Sequence, residues 1–191
     1  MVPNSMVRRA KEKDVTALVR LSIDSFRNAF EPNNPKSDID LYVEENFSFE
    51  QIYAQVLEPS NLFLLLFIEP IQEQTSPPVG YTKLRMGPPE SCVTGENPVE
   101  IERFYLDASA IGKGFGSMLM RACLAEAEAR CYQTVWLGVW EYNYRAITFY
   151  KRWGFTIVGS HPFQQGTETQ TDLIMQRAIS EKTLTVDALL R

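Results

Sequence analysis

The chain has 191 residues, 45% hydrophobic and 23% charged, which suits one domain with a substantial core and argues against wholesale disorder. Nineteen Lys and Arg against 24 Asp and Glu leave a net charge of −5, the wrong balance for non-specific binding to nucleic acid or anionic membranes. The three cysteines, Cys92, Cys123 and Cys131, form no C-x-x-C pair, and one histidine, His161, cannot build an imidazole metal centre. No apolar signal stretch occupies Met1–Met6. The longest apolar run, Leu62–Ile68, is seven residues, far short of the ~20 of a membrane span. The expectation is a soluble cytoplasmic protein of one domain, with a core over 6–178 and a tail over 179–191 that either packs on a partner or frays.

Met6–Ala10 reads as a first strand. Apolar residues at helical spacing then predict a helix over 11–30, ended by Glu31-Pro32-Asn33-Asn34-Pro35. Two more helices are expected over 38–47 and 49–57. Leu62–Ile68 reads as a buried strand, Thr75–Pro78 as a turn and Val79–Met86 as a strand antiparallel to it. Residues 87–98 are loop. The second half alternates: a strand over 99–106, a helix over 114–130, a strand over 134–140, a helix over 143–153, and strands over 155–159 and 171–175. A strand–helix–strand unit implies a parallel pair, while the hairpin and the last strands imply antiparallel pairs. The sheet is therefore expected to be mixed and mostly antiparallel, flanked by helices in an α/β fold.

The sharpest local feature is Ile111-Gly112-Lys113-Gly114-Phe115-Gly116-Ser117, set between a strand and a helix. Three glycines in five residues allow a tight turn and close approach of a ligand to the main chain. The helix that follows offers free N–H groups and a positive dipole end, together an anion site suited to pyrophosphate. Two rival phosphate motifs fail on spacing: Lys113 is followed by Gly114, not Ser or Thr, and Ser117 stands where a dinucleotide fingerprint needs glycine.

Around that turn stand Val99–Leu106, Val135-Trp136-Leu137-Gly138-Val139-Trp140, and then Asn143, Ala146, Phe149, Tyr150, Arg152, Gly154 and Phe155. In this order they resemble the GNAT N-acetyltransferases, with Ile111 in place of that family's Arg or Gln at the start of the turn. The stretches Glu100–Arg103, Trp136–Glu141 and Gln170–Met175 are similar to the PaiA-type spermine/spermidine acetyltransferases within it.

The resemblance implies a splayed parallel strand pair with acetyl-CoA entering the gap as co-substrate. Backbone groups at Phe104, Tyr105 and Leu106 would pair with the pantetheine, and an N–H near Leu106 would polarise the thioester carbonyl. The Gly112–Ser117 amides would hold the pyrophosphate, with Ile111, Lys113, Phe115, Asn143, Ala146, Phe149 and Arg152 also on the cofactor. Tyr150 is the expected general acid for the departing thiolate, although its helical spacing with Phe149 and Trp153 also suits packing; Asn143 also fits a helix N-cap.

Glu100 and Glu102, two apart on one strand, share a face and could draw in an ammonium and take its proton, or could form a solvated acidic edge. Arg103 is expected to point the other way as an ion-pair partner. The tryptophans are expected as core or groove wall, and the cysteines as small buried groups with no acetyl-cysteine intermediate. The implied activity is acetyl transfer to a primary amine by direct attack, with a polyamine as acceptor and no metal. A protein or peptide amine, and a catalytically silent acyl-CoA sensor, are the competing readings. Dimers are common in the resembled family, so a homodimer is compatible with it.

Overall fold

The computed structural model describes residues 5–68, 76–165 and 168–179. Part of the expected Thr75–Pro78 turn and nearly all of the tail lie outside them. Seven strands form one sheet: β1 (Ser5–Arg9), β2 (Asn61–Ile68), β3 (Gly80–Arg85), β4 (Pro98–Leu106), β5 (Thr134–Trp140), β6 (Thr156–Gln165) and β7 (Glu168–Ala178). Their spatial order is β1-β2-β3-β4-β5-β7-β6. Every neighbouring pair is antiparallel except β4–β5, which is parallel.

The helices are α1 (Val15–Phe30), α2 (Lys36–Asn46), α3 (Phe49–Leu57), α4 (Phe115–Ala129) and α5 (Tyr144–Arg152). α1 opens with a short 3₁₀ turn at Glu12–Asp14, so the expected helix over 11–30 is two segments. α3 starts at a reciprocal cap in which Ser48 accepts from the Gln51 amide and the Gln51 side chain accepts from the Ser48 amide, both at 3.2 Å. The two last strands run longer than expected. Polar and proline residues such as Gln164, Pro162 and Thr169 conceal the strand in sequence, and the β6–β7 pairing from Thr156↔Gln176 to Gln165↔Glu168 makes it.

β2 shows how one strand separates two cores. Leu62, Leu64 and Leu66 pack on one face with Phe115, Leu119 and Met120 of α4 and Ile147 and Tyr150 of α5. Phe63, Leu65 and Phe67 pack on the other with Val15, Leu18 and Leu21 of α1, Ile39 of α2 and Ile52 of α3. Both faces are covered, so the strand is apolar throughout rather than alternating. The α4–α5 side and the α1–α3 side of the sheet are the two sides on which the site is built.

Candidate active site

β4 and β5 pair only at Pro98↔Thr134, Val99↔Val135 and Glu100↔Trp136. Both strands continue, β4 to Leu106 and β5 to Trp140, but without pairing each other. β4 remains paired to β3 as far as Gly80↔Leu106. Its edge toward β5 is thus left with backbone donors and acceptors that an extended ligand can take up as an added strand.

The parting has a local cause. The β3–β4 register shifts between Lys83 and Leu84, which pair with Arg103 and Ile101 and leave Glu102 as an extra residue in β4. Such a bulge bends its strand and resets the side-chain alternation. Val99 and Ile101 face the α4–α5 core, and beyond the bulge Phe104 and Leu106 do so, while Tyr105 packs on the α1–α3 side. Arg103 therefore does not point away from Glu102. The two lie side by side, Arg103 Nη2 3.6 Å from Glu102 Oε1, with the Arg103 guanidinium 4.9 Å from the Phe47 ring centre.

The same bulge decides what the glutamates face. Lys83 Nζ donates to Glu102 Oε1 at 2.8 Å, and Arg85 Nε lies 2.9 Å from Glu102 Oε2. Arg85 Nε also donates to Glu100 Oε2 at 2.8 Å. Lys83 is itself buried, its chain 4% exposed, and it donates to Gln55 Oε1 at 3.1 Å. The carboxylates are neither a solvated edge nor open to an incoming ammonium, because resident cations hold them. Burial raises the Glu100 carboxyl above its ordinary range, with Arg85 working against the shift. Burial lowers the Lys83 ammonium, with Glu102 holding it up.

On the α4 side the chain leaves β4 through Asp107, whose carboxylate accepts from the Ser109 amide at 2.8 Å, and reaches the glycine turn. Gly112 has φ +78° and Gly114 φ +87°, a left-handed backbone that side chains resist. Among the described residues the amides from Gly112 to Gly116 have no hydrogen-bond acceptor. A Cβ at Gly116 would touch Leu106 and Phe149 at 3.5 and 3.6 Å, so its lack of one seats the start of α4 against β4 and α5. Lys113 is exposed and Ser117 half-buried on this rim, and Ile111 half-buried beneath it.

α5 begins at Asn143, whose Oδ1 accepts from the Ala146 amide at 3.1 Å. The cap sets the helix so that Phe149 and Tyr150 meet Phe104, with ring centres 5.7 and 6.3 Å apart. Tyr150 also packs edge-on against Phe155 at 5.9 Å, and no described residue hydrogen-bonds its hydroxyl. Burial raises its phenol, and Cys123 adds to the shift. Arg152 is exposed in the last turn. Cys123 is buried as expected, but Cys131 is exposed and Cys92 half-buried; Cys131 sits at φ +60° where the chain turns out of α4.

A gap between two parallel strands, a turn of unpaired amides at one end and a buried phenol beside the β4 backbone agree with a family comparison. The family model described as acetyltransferase (GNAT) family matches residues 19–155. The chain belongs to the GNAT acetyltransferases. As a GNAT N-acetyltransferase it is 27% identical, over 90% of its own length and 95% of the relative's, to an N-acetyltransferase of the pepI 3′ region in Lactobacillus delbrueckii subsp. lactis. A spermine/spermidine N(1)-acetyltransferase of Bacillus subtilis is 33% identical over 66 residues, 34% of this chain and 43% of the relative. Among solved structures, the PaiA N-acetyltransferase of Thermoplasma acidophilum in complex with coenzyme A has a TM-score of 0.74 at 18% identity, covering 92% of this chain and 99% of that one. The GNAT fold with acetyl-CoA as donor is thereby established. Among the described residues no helix is long and apolar enough to cross a membrane, and no three His, Cys, Asp or Glu cluster to hold a metal.

The sequence reading missed Lys83 and Arg85 as partners of the glutamates. In the sequence Asp172 stands only within the stretch Gln170–Met175, and His161 belongs to no motif. A half-buried Glu90 accepts from His161 Nδ1 at 2.9 Å, across 71 residues of chain. The available signal was Gly138, a glycine in the middle of an otherwise bulky strand.

Proposed function

We propose that this GNAT enzyme transfers the acetyl group of acetyl-CoA to a primary amine by direct attack, with a polyamine as the first acceptor class. The observation that carries the reading is the parting of β4 from β5 directly after Glu100↔Trp136. It leaves β4 backbone free where a pantetheine can lie, between the nest at 112–116 and the phenol of Tyr150. The acceptor class is supported by the partial likeness to the Bacillus subtilis spermine/spermidine enzyme.

In this reading the turn from Gly112 to Ser117 holds the pyrophosphate, since the amides from Gly112 to Gly116 have no hydrogen-bond acceptor among the described residues and lie at the positive end of α4. Ile111 supplies no side-chain donor there, so the backbone carries the contact. Phe104, Tyr105 and Leu106 present the β4 edge to the pantetheine, and an N–H near Leu106 polarises the thioester carbonyl. The amine nitrogen attacks that carbonyl carbon, the C–N bond forms, the C–S bond breaks, and the sulfur leaves as thiolate and takes up the proton that the nitrogen sheds, giving free thiol and an amide. Tyr150 donates to the sulfur. Its raised phenol keeps the proton at every working pH, and because a thiol has a pKa of about 8.5, a hydrogen bond to the sulfur costs less than full transfer.

For Glu100 and Glu102 we propose a positioning part. They tie Arg85, Lys83 and Arg103 together at the bulge and so hold β4 away from β5. The test is thiol release from acetyl-CoA with spermidine, spermine, a lysine peptide and a simple alkylamine, the acetylated product identified by mass. Acetylation of an amine supports the transfer reading, and preference for the peptide replaces the polyamine.

A further inference from the structure

Gly138 is exposed, although it lies in the middle of β5 between buried Leu137 and Val139, with β4 and β7 on its two sides. Its neighbour Trp140 pairs with Asp172 of β7, and Asp172 pairs on its other side with His161 of β6, so the three form one row across the sheet. A Cβ at Gly138 would lie 3.5 Å from Asp172 Oδ2 and 3.8 Å from His161 Nε2. An acidic oxygen and a ring nitrogen thus converge on one small hollow, and the missing Cβ leaves it open.

The tautomer follows from the far side of the ring. Nδ1 lies 2.9 Å from Glu90 Oε1, so Nδ1 carries the hydrogen and donates it, leaving the Nε2 lone pair toward the hollow. The Asp172 carboxylate makes no hydrogen bond to a described residue. Burial raises its carboxyl above the ordinary range, with His161 working the other way. Val135, Leu137 and Val139 face the α4–α5 core, so Gly138 opens on the α1–α3 side, two residues beyond the last β4–β5 pair.

We infer that the hollow over Gly138 is where the acceptor's ammonium docks, with Asp172 as its counter-ion and His161 Nε2 as the acceptor of its proton. This rests on the amine-acetylation reading and adds the recognition device that the ion-paired glutamates do not supply. An ammonium has three N–H donors. Asp172 Oδ2 and His161 Nε2 take two of them as charge-assisted hydrogen bonds, and the proton passed to Nε2 leaves the nitrogen lone pair for the thioester carbonyl. Glu90 then faces the imidazolium so formed. At neutral pH an alkylammonium, with a pKa of about 10.4, holds its proton, so a positioned base is required. A cationic primary amine fits the hollow, and a neutral alcohol of the same shape leaves Asp172 without a counter-ion.

His161 is the only histidine in the chain, so its imidazole signals in a nitrogen-correlated NMR spectrum need no assignment. CoA-loaded protein is titrated with n-butylammonium and, separately, with n-butanol. The expected result is a saturable shift of the His161 Nε2 signal with the ammonium and none with the alcohol. Asp172→Asn and Gly138→Ala should each weaken the ammonium response at least tenfold. The added methyl of the alanine meets its neighbours at ordinary contact distance, so that variant should keep the fold. An unmoved His161 signal, or equal responses in wild type and both variants, overturns the assignment. CoA affinity measured by calorimetry on the same samples separates the readings: loss of CoA binding in wild type counts against acetyl transfer, and the ammonium titration still decides the hollow.

Discussion

Gly114, the N-cap residue of α4, holds φ +87°, a conformation that costs an ordinary residue about 1–2 kcal/mol. Gly114→Ala should therefore lose about that much stability in urea melts. Gly114→Val should in addition put a branched side chain on the nest, and calorimetry should show CoA affinity reduced at least tenfold in protein that still unfolds cooperatively. Unchanged CoA affinity in folded Gly114→Val would move the pyrophosphate elsewhere. Tyr150 is the second residue whose role a single atom decides. Tyr150→Phe keeps the ring contacts with Phe104 and Phe155 and removes only the hydroxyl. A positioned proton donor contributes about 10²–10⁴ in rate, so kcat should fall at least tenfold while Tm stays within a degree or two of wild type; wild-type turnover would leave Tyr150 as a packing residue.

At the scale of elements the decisive feature is the bulge in β4. It was not legible in the sequence, because Glu100-Ile101-Glu102-Arg103 reads as plain alternation and only the pairing with Lys83 and Leu84 reveals the extra residue. That is why Arg103 was expected on the opposite face, and why open glutamates were expected where ion pairs stand. By contrast, the Gly-rich turn, the Asn143 cap and the Phe149–Tyr150 stripe were legible, since each is fixed by residues a few positions apart.

The bulge makes a prediction of its own. Glu102→Gln leaves the buried Lys83 ammonium without its carboxylate, and breaking such a pair costs about 3 kcal/mol, the low end of the range because Glu102 is partly exposed. The sign with pH follows from Lys83, whose folded pKa already lies below 10.5 and drops further in the variant. Below that folded pKa the cost is fully present. Between it and 10.5 the unfolded chain binds more protons than the folded one, so the deficit shrinks as pH rises. Urea melts of wild type and variant at about pH 7 and about pH 9 should show the difference narrowing; a constant difference would mean that Glu102 does not hold Lys83.

For the whole molecule, the buried phenols and thiol set the alkaline limit. Burial pushes Tyr81 and Cys123 each up to about 12, and it raises Tyr42, Tyr105 and Tyr150 as well. Each group keeps its proton in the fold at a pH where the unfolded chain has released it. Their contribution is fully present below the unfolded values of 9.0 and 10.0 and is lost as pH rises through the folded ones. Among the described residues Lys83 works in the opposite direction, and four tyrosines and a thiol outweigh it. The denaturation midpoint should fall steadily from about pH 9 upward, and most phenolate absorbance should appear only with unfolding. Phenolate absorbance from these tyrosines near pH 10 in folded protein would contradict the packing.

The central claim is acetyl transfer from acetyl-CoA to a primary amine across the β4–β5 gap. Its most direct measurement is the product itself: purified protein with acetyl-CoA and spermidine, free thiol followed in time and the polyamine examined by mass spectrometry. The account predicts thiol release that depends on the amine, one acetyl group gained by the amine, and loss of both in Gly114→Val. Thiol release with no acetylated amine, from spermidine or from any amine of the panel, would contradict it.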